Sequence, residues 1–176
     1  MQRIIRGRSS RRQIRTRLAI RSIFFTLTIP GVVVVVIPYL ILRLTGPVRV
    51  HALSPAQVFS LSLWVISITV LLHCIWNFAR AGEGTLAPSD PPRQLVVTGL
   101  YTYTRNPMYI AVVGALLCEA IFFSSLGIFL FSLFALVSTH LFVVLYEEPR
   151  LKSLFGSSYT AYIKSVPRWG IRRTPY

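Results

Sequence analysis

Two groups of side chains capable of chemistry stand out in a chain otherwise poor in them. The run GLYTYTRNPMYI, starting at Gly99, sets Arg105, Asn106 and Pro107 among Tyr101, Tyr103 and Tyr109 at the mouth of a long apolar segment. That apolar segment ends on YEEPRL, with the adjacent carboxylates Glu147 and Glu148. Asn-Pro reads as a helix start, because Asn is a good N-cap and Pro lacks an N–H only where none is needed. A helix N-terminus beside a guanidinium suits a carboxylate or phosphate. Two neighbouring acids at the C-terminal end of an apolar helix repel each other, lose solvation and oppose the helix dipole. Local propensity therefore does not account for them. On a regular helix His140, Val144, Glu147 and Glu148 fall at i, i+4, i+7 and i+8 along one face, which puts an intramembrane histidine in line with both acids. AGEGT places Gly82 and Gly84 just after another apolar run, and Gly-x-Gly lets backbone approach a ligand closely. No strand precedes it, so it is not a dinucleotide fingerprint.

The elements that must carry these groups are helices in a bilayer. Hydrophobic residues make up 53% of the 176, and Lys+Arg outnumber Asp+Glu by 19 to 5. Mean hydropathy is +0.60. From Ala56 to Ala79 there is no Asp, Glu, Lys or Arg, and from Met108 to Tyr146 the one such residue is Glu119. Runs of about 20 apolar residues match the thickness of a bilayer core. The expected class is all-α, a polytopic membrane protein of about four spans. The first covers Leu18–Leu42, broken by Arg21, Pro30 and Pro38, and the second Ala56–Ala79. The region from Met108 to Tyr146 divides at SSLG, 124–127, into helices of about 16 and 20 residues. The chain thus divides into a basic tail, 1–17, and one membrane domain, 18–176.

Positive charge sets the orientation. With the N-terminus in the cytoplasm, the N-terminal tail, the 80–107 loop and the C-terminal tail hold seven, three and six Lys+Arg, and Arg21 sits near the same face, leaving Arg43 and Arg49 outside. Both termini are then cytoplasmic, in a prokaryotic inner membrane or endoplasmic reticulum, and every unusual polar segment faces that side. The arginine-rich tail lacks interleaved aromatics, so it points to lipid rather than nucleic acid. Cys74, Cys118 and three scattered histidines offer no metal site. Glu119 either faces the bundle interior and a substrate groove or sits near the turn on the far side. Tyr159, Tyr162, Arg168 and Trp169 make a basic, aromatic patch of the kind found on interfacial helices.

The ordered array GEGTLAP, DPPRQLVVTGLYTYTRNPMY, HLFVVLYEEPRL and FGSSYTAYIKSVPRW resembles the isoprenylcysteine carboxyl methyltransferase family. It is similar also to the related phospholipid N-methyltransferases, whose Gly-x-Gly and Glu-Glu elements are matched by Gly82–Gly84 and Glu147–Glu148. The likeness covers roughly residues 55–172. It implies a membrane enzyme using S-adenosylmethionine, with a cytoplasmic-side pocket closed by the C-terminal segment and a lipophilic acceptor entering between helices. It implies Arg105 and Glu148 as catalytic residues. Gly82, Gly84, Tyr101, Asn106, Tyr109, His140 and Glu147 join them around the cofactor. Arg105 and the third helix's N-terminus would take the cofactor carboxylate, Glu147 or Glu148 its ammonium or ribose hydroxyls, and Tyr101, Tyr109 or Trp169 its adenine. His140 would fix one of these groups by hydrogen bonding. The motif reads Arg-Asn-Pro where eukaryotic prenylcysteine enzymes have Arg-His-Pro, so the acceptor stays open among an isoprenylcysteine-like carboxylate, a phospholipid amine and a small thiol. Two other readings remain. One is an NADPH-dependent reductase of the sterol reductase type, for whose 2′-phosphate paired acids are poor company. The other is a non-catalytic membrane protein.

Overall fold

A computed structural model describes residues 28–46, 53–81 and 95–176. The basic tail, the first half of the expected first span and Gly82–Gly84 lie outside the described residues. The first helix, α1, runs Thr28–Thr45, three residues past the expected end at Leu42. Its prolines do not produce a sharp break. Instead Val32–Val36 widens into a π-helical segment in which the Ile37 N–H reaches back to Val32 O. Pro38 follows directly, and its ring would meet the carbonyl four residues back in a regular helix.

The second helix, α2, covers Pro55–Ala81, close to the expected limits. Its start is a reciprocal capping box. Gln57 N donates to Ser54 Oγ at 3.3 Å, and Ser54 N donates to Gln57 Oε1 at 2.9 Å. The third, α3, covers Pro107–Phe122 with Pro in its first turn. At about 1.5 Å per residue it is about 24 Å long, short of a full bilayer core. A tight turn over 123–125 follows, where Ser124 takes a φ of 47°. Ser125 then caps α4, Leu126–Phe142, by accepting from Ile128 N. The turn thus falls where SSLG predicts it. A second π segment, Val143–Glu147, joins α4 to α5, Glu148–Ser165. Here the Glu148 N–H bonds Val143 O, again just before a proline, Pro149. A positive φ at Gly156 divides α5 into two pieces.

Helix α3 is central and packs on α1, α2 and α4. Its buried face is built largely from small residues, Ala111, Ala115, Cys118 and Ala120, which let neighbouring helices come close. Gly127 serves the same purpose between α4 and α1, since a Cβ there would lie 2.7 Å from Ile41 Cγ2. The outer surfaces are apolar: Phe59, Phe134 and Leu145 are 66%, 67% and 70% exposed. An exposed apolar surface of this extent belongs against lipid. Among the described residues three helical runs are long and apolar enough to cross a membrane, with α3 as a shorter fourth. The chain is an all-helical membrane protein.

The chain directions bring the end of α2, the start of α3 and the α4–α5 junction to one end of the bundle. A short 3₁₀ turn, Gly99–Thr102, lies there against α2. Gly99 has φ +58°, and a Cβ on it would sit 2.6 Å from Asn77 Nδ2, an amide already 3.0 Å from His73 Nε2. Gly99→Ala is expected to lose about 1–2 kcal/mol through left-handed strain and displacement of Asn77. Thermal unfolding in detergent against the parent protein checks it.

Candidate functional site

At that end the chain folds a strap back over the helices. After Ser165 it turns, and five bonds hold it to the 102–106 segment, the longest from Thr104 Oγ1 to Arg168 O at 3.4 Å. Arg105 N donates to Pro167 O at 3.0 Å, and Arg172 N to Tyr103 O at 2.9 Å. Tyr176 N donates to Thr102 O at 3.2 Å. Asn106 Nδ2 donates to Arg168 O at 3.1 Å. This last bond corrects the expectation for Asn106. Its side chain makes no capping bond to α3 but ties down the strap, while its carbonyl accepts the first helical bond from Ile110 N.

Beneath the strap, Tyr159, Tyr162 and Val166 form a small core with Leu95 and Val97. The Tyr162 hydroxyl donates to Tyr101 O at 2.7 Å in a fully buried bond. Tyr162→Phe removes this buried bond, with an expected loss of about 1–2 kcal/mol. Faster tryptic cleavage of the C-terminal segment is the readout.

The strap delivers Arg168 to Glu148. Arg168 Nε and Nη2 bond Glu148 Oε1 and Oε2 at 2.7 and 2.8 Å, a bidentate fork. Arg105 Nη1 bonds the same Oε1 at 2.8 Å from the other side. Glu148 is thus clamped between two guanidinium groups, in a cluster of net charge +1. Its bonds to Glu148 push the Arg168 guanidinium above its usual value, so it keeps its charge. Among the described residues, the buried Arg105 Nε and Arg172 Nη1 have no hydrogen-bond partner.

Glu147 has a separate environment. Its Oε2 accepts from the Tyr109 hydroxyl at 3.1 Å. Tyr101 lies close to this pair and to Cys74 of α2, and burial raises its hydroxyl well above the usual phenol range. It is therefore neutral at physiological pH. The two neighbouring acids thus point to different partners. The helix assumed regular through His140, Val144, Glu147 and Glu148 is not so, because the π segment inserts a wider turn between the histidine and the acids, but His140 remains close enough to act on the charge of Glu148. His140 is exposed on α4 and meets the strap instead, accepting from Trp169 Nε1 at Nδ1 over 3.0 Å. The structure brings together Tyr101, Arg105, Asn106, Tyr109, Glu147 and Glu148, with His140 on the adjoining side of the strap. It also adds Arg168, which the sequence placed in a general basic patch. Nothing local links an arginine to a glutamate twenty positions earlier, and only the strap's course reveals the pairing.

Glu119 lies at the opposite end of the bundle, buried against α2, with Oε1 accepting from Trp64 Nε1 at 2.8 Å. Both placements open to it hold in part: it faces inward, and it sits one turn from the far-side loop. Among the described residues no group of His, Cys, Asp and Glu could hold a metal ion.

The family model for phospholipid methyltransferase matches residues 55–158, more than half of the chain. The chain belongs to this family. The match runs from the capped start of α2 through both glutamates into α5, so the membrane-methyltransferase framework includes Arg105, Glu147 and Glu148, while Arg168 and the strap lie beyond it. Neither the curated proteins nor the solved structures contain a significant match.

Proposed function

We propose that this phospholipid methyltransferase family member uses S-adenosylmethionine to methylate the amine of a membrane lipid, in a site at the cytoplasmic boundary. The observation that carries the reading is the charge arrangement under the strap. S-adenosylmethionine presents a carboxylate, an ammonium, a ribose diol, an adenine and a sulfonium, and the residues present suit it. Arg105 commits Nη1 to Glu148 and leaves a buried, unpartnered Nε, a donor available to a carboxylate. Glu147 has one oxygen held by Tyr109, and its other oxygen suits the ammonium. Tyr101, Tyr109 and Trp169 offer aromatic faces for adenine and sulfonium. The family likeness adds Gly82 and Gly84 to the same ligand.

When bound, the cofactor supplies an electrophilic methyl group. The protein's part is alignment and exclusion of water. Arg105 and Glu147 fix the two ends of the amino-acid moiety, and the strap closes the site from solvent. The lipid enters from the side, where Phe142, Leu145 and Tyr146 of the adjoining helix are 39%, 70% and 40% exposed. Asn106 stands where prenylcysteine enzymes carry histidine, which favours a phospholipid over a prenylcysteine carboxylate. The excess of Lys+Arg at this end supports its cytoplasmic placement.

Calorimetry on the purified protein in detergent tests the cofactor. S-adenosylmethionine is expected to bind and NADPH to give no heat. Binding of NADPH in its place moves the chain to reductase chemistry.

A further inference from the structure

At the far end of the bundle, α2 and α3 enclose a cavity of about 170 Å³ bordered by Ser60, Leu61, Trp64, Glu119, Phe122 and Phe123. It lies about 18 Å from Pro107 along α3, counting twelve residues at about 1.5 Å each, and so is separate from the Arg105–Glu148 cluster. Leu61 is 44% exposed on the lipid-facing surface, so the cavity borders the bilayer. Its lining is almost wholly apolar, with one exception in charge. Glu119 is only 8% exposed, its Oε1 is held by the neutral Trp64 N–H, and its Oε2 is buried with no hydrogen-bond partner. Among the described residues both ion pairs belong to Glu148 and none to Glu119. A buried acid with no countercharge among the described residues calls for an explanation.

We infer that this cavity is a second lipid site, which holds a lipid whose headgroup carries a primary ammonium. The ammonium supplies the missing countercharge and donor to Glu119, and the apolar lining takes the adjoining chain. Charge complementarity selects this occupant over a neutral or anionic lipid. The site opens on the leaflet opposite the one that adjoins the Arg105–Glu148 cluster. The inference does not rest on methyl transfer, and its test needs no cofactor.

The test uses full-length protein in vesicles that contain a phosphatidylethanolamine with a photoactivatable group high in its acyl chain. Labelled peptides are mapped by mass spectrometry. The phosphatidylglycerol analogue is the control. Adducts are expected within residues 57–64 and 118–123 with the amine lipid, and at least fivefold fewer with the control. Glu119→Gln keeps the acceptor for Trp64 while removing the charge, and is expected to bring the amine lipid down to the control level there. Adducts near 142–147 should be unchanged in that variant, which reports an intact fold and separates this site from that of the methyl acceptor. Equal labelling by both lipids, or far-end labelling unchanged in Glu119→Gln, overturns the inference.

Discussion

Glu148→Gln is expected to release the C-terminal strap and abolish useful cofactor binding. Glutamine preserves the shape but removes the charge that holds two guanidinium groups together. Three charge-assisted bonds weaken at once, two to Arg168 and one to Arg105. Breaking a buried ion pair by removing one partner costs about 3–5 kcal/mol. Here Glu148 is 17% exposed and Arg168 31%, so solvent screening lowers that to about 2 kcal/mol. The remaining ties of the strap, through Asn106 and the backbone of Arg105 and Arg172, survive. The expected result is therefore a folded protein with a loosened tail. Trypsin should cut faster at Arg172 and Arg173, and S-adenosylmethionine affinity should fall by about thirtyfold or more. An unchanged cleavage rate would show that the clamp does not hold the strap.

Arg105→Lys is expected to separate binding from folding. Lysine keeps the positive charge, and the Arg105 N–H to Pro167 O bond is independent of the side chain. Arg168 still clamps Glu148 with its fork. Stability should therefore change little. An ammonium, however, is a single point charge, and it cannot face Glu148 and a second carboxylate with the planar fork that a guanidinium presents. Loss of one bond between charged groups is about 1.5–3 kcal/mol, or about ten- to a hundredfold in affinity. Calorimetry beside a thermal melt checks both halves. Lost stability with intact affinity would make Arg105 a structural residue only.

Much of this arrangement was legible in the chain, for physical reasons that can be named. The spans of α2 and α4 follow from charge-free apolar runs, α3 from a shorter apolar run that holds Glu119, and the turn between α3 and α4 from its Ser-Ser-Leu-Gly stretch. The meeting of Arg105 with Glu148 follows from the hairpin, because two antiparallel helices return their outer ends to one face. The two π segments were not legible. They arise from the conflict between a proline ring and the preceding turn, and sequence periodicity assumes a regular helix. That assumption missed the wider turn before the glutamates, although His140 still lies within electrostatic reach of Glu148. The role of Asn106 was misread because a good capping residue is also a good donor, and the strap's Arg168 carbonyl competes for it. Arg168 itself was hidden, since its partner is set by a tertiary turn rather than by spacing.

The most direct measurement is transfer of a tritiated methyl group from S-adenosylmethionine to lipid. The purified protein would be reconstituted with phosphatidylethanolamine, and the label counted in the organic extract. The account predicts lipid-borne label with the parent protein and a loss of at least tenfold with Arg105→Lys and Glu148→Gln. No label in any lipid fraction from a folded protein, or equal label with all three proteins, would contradict it.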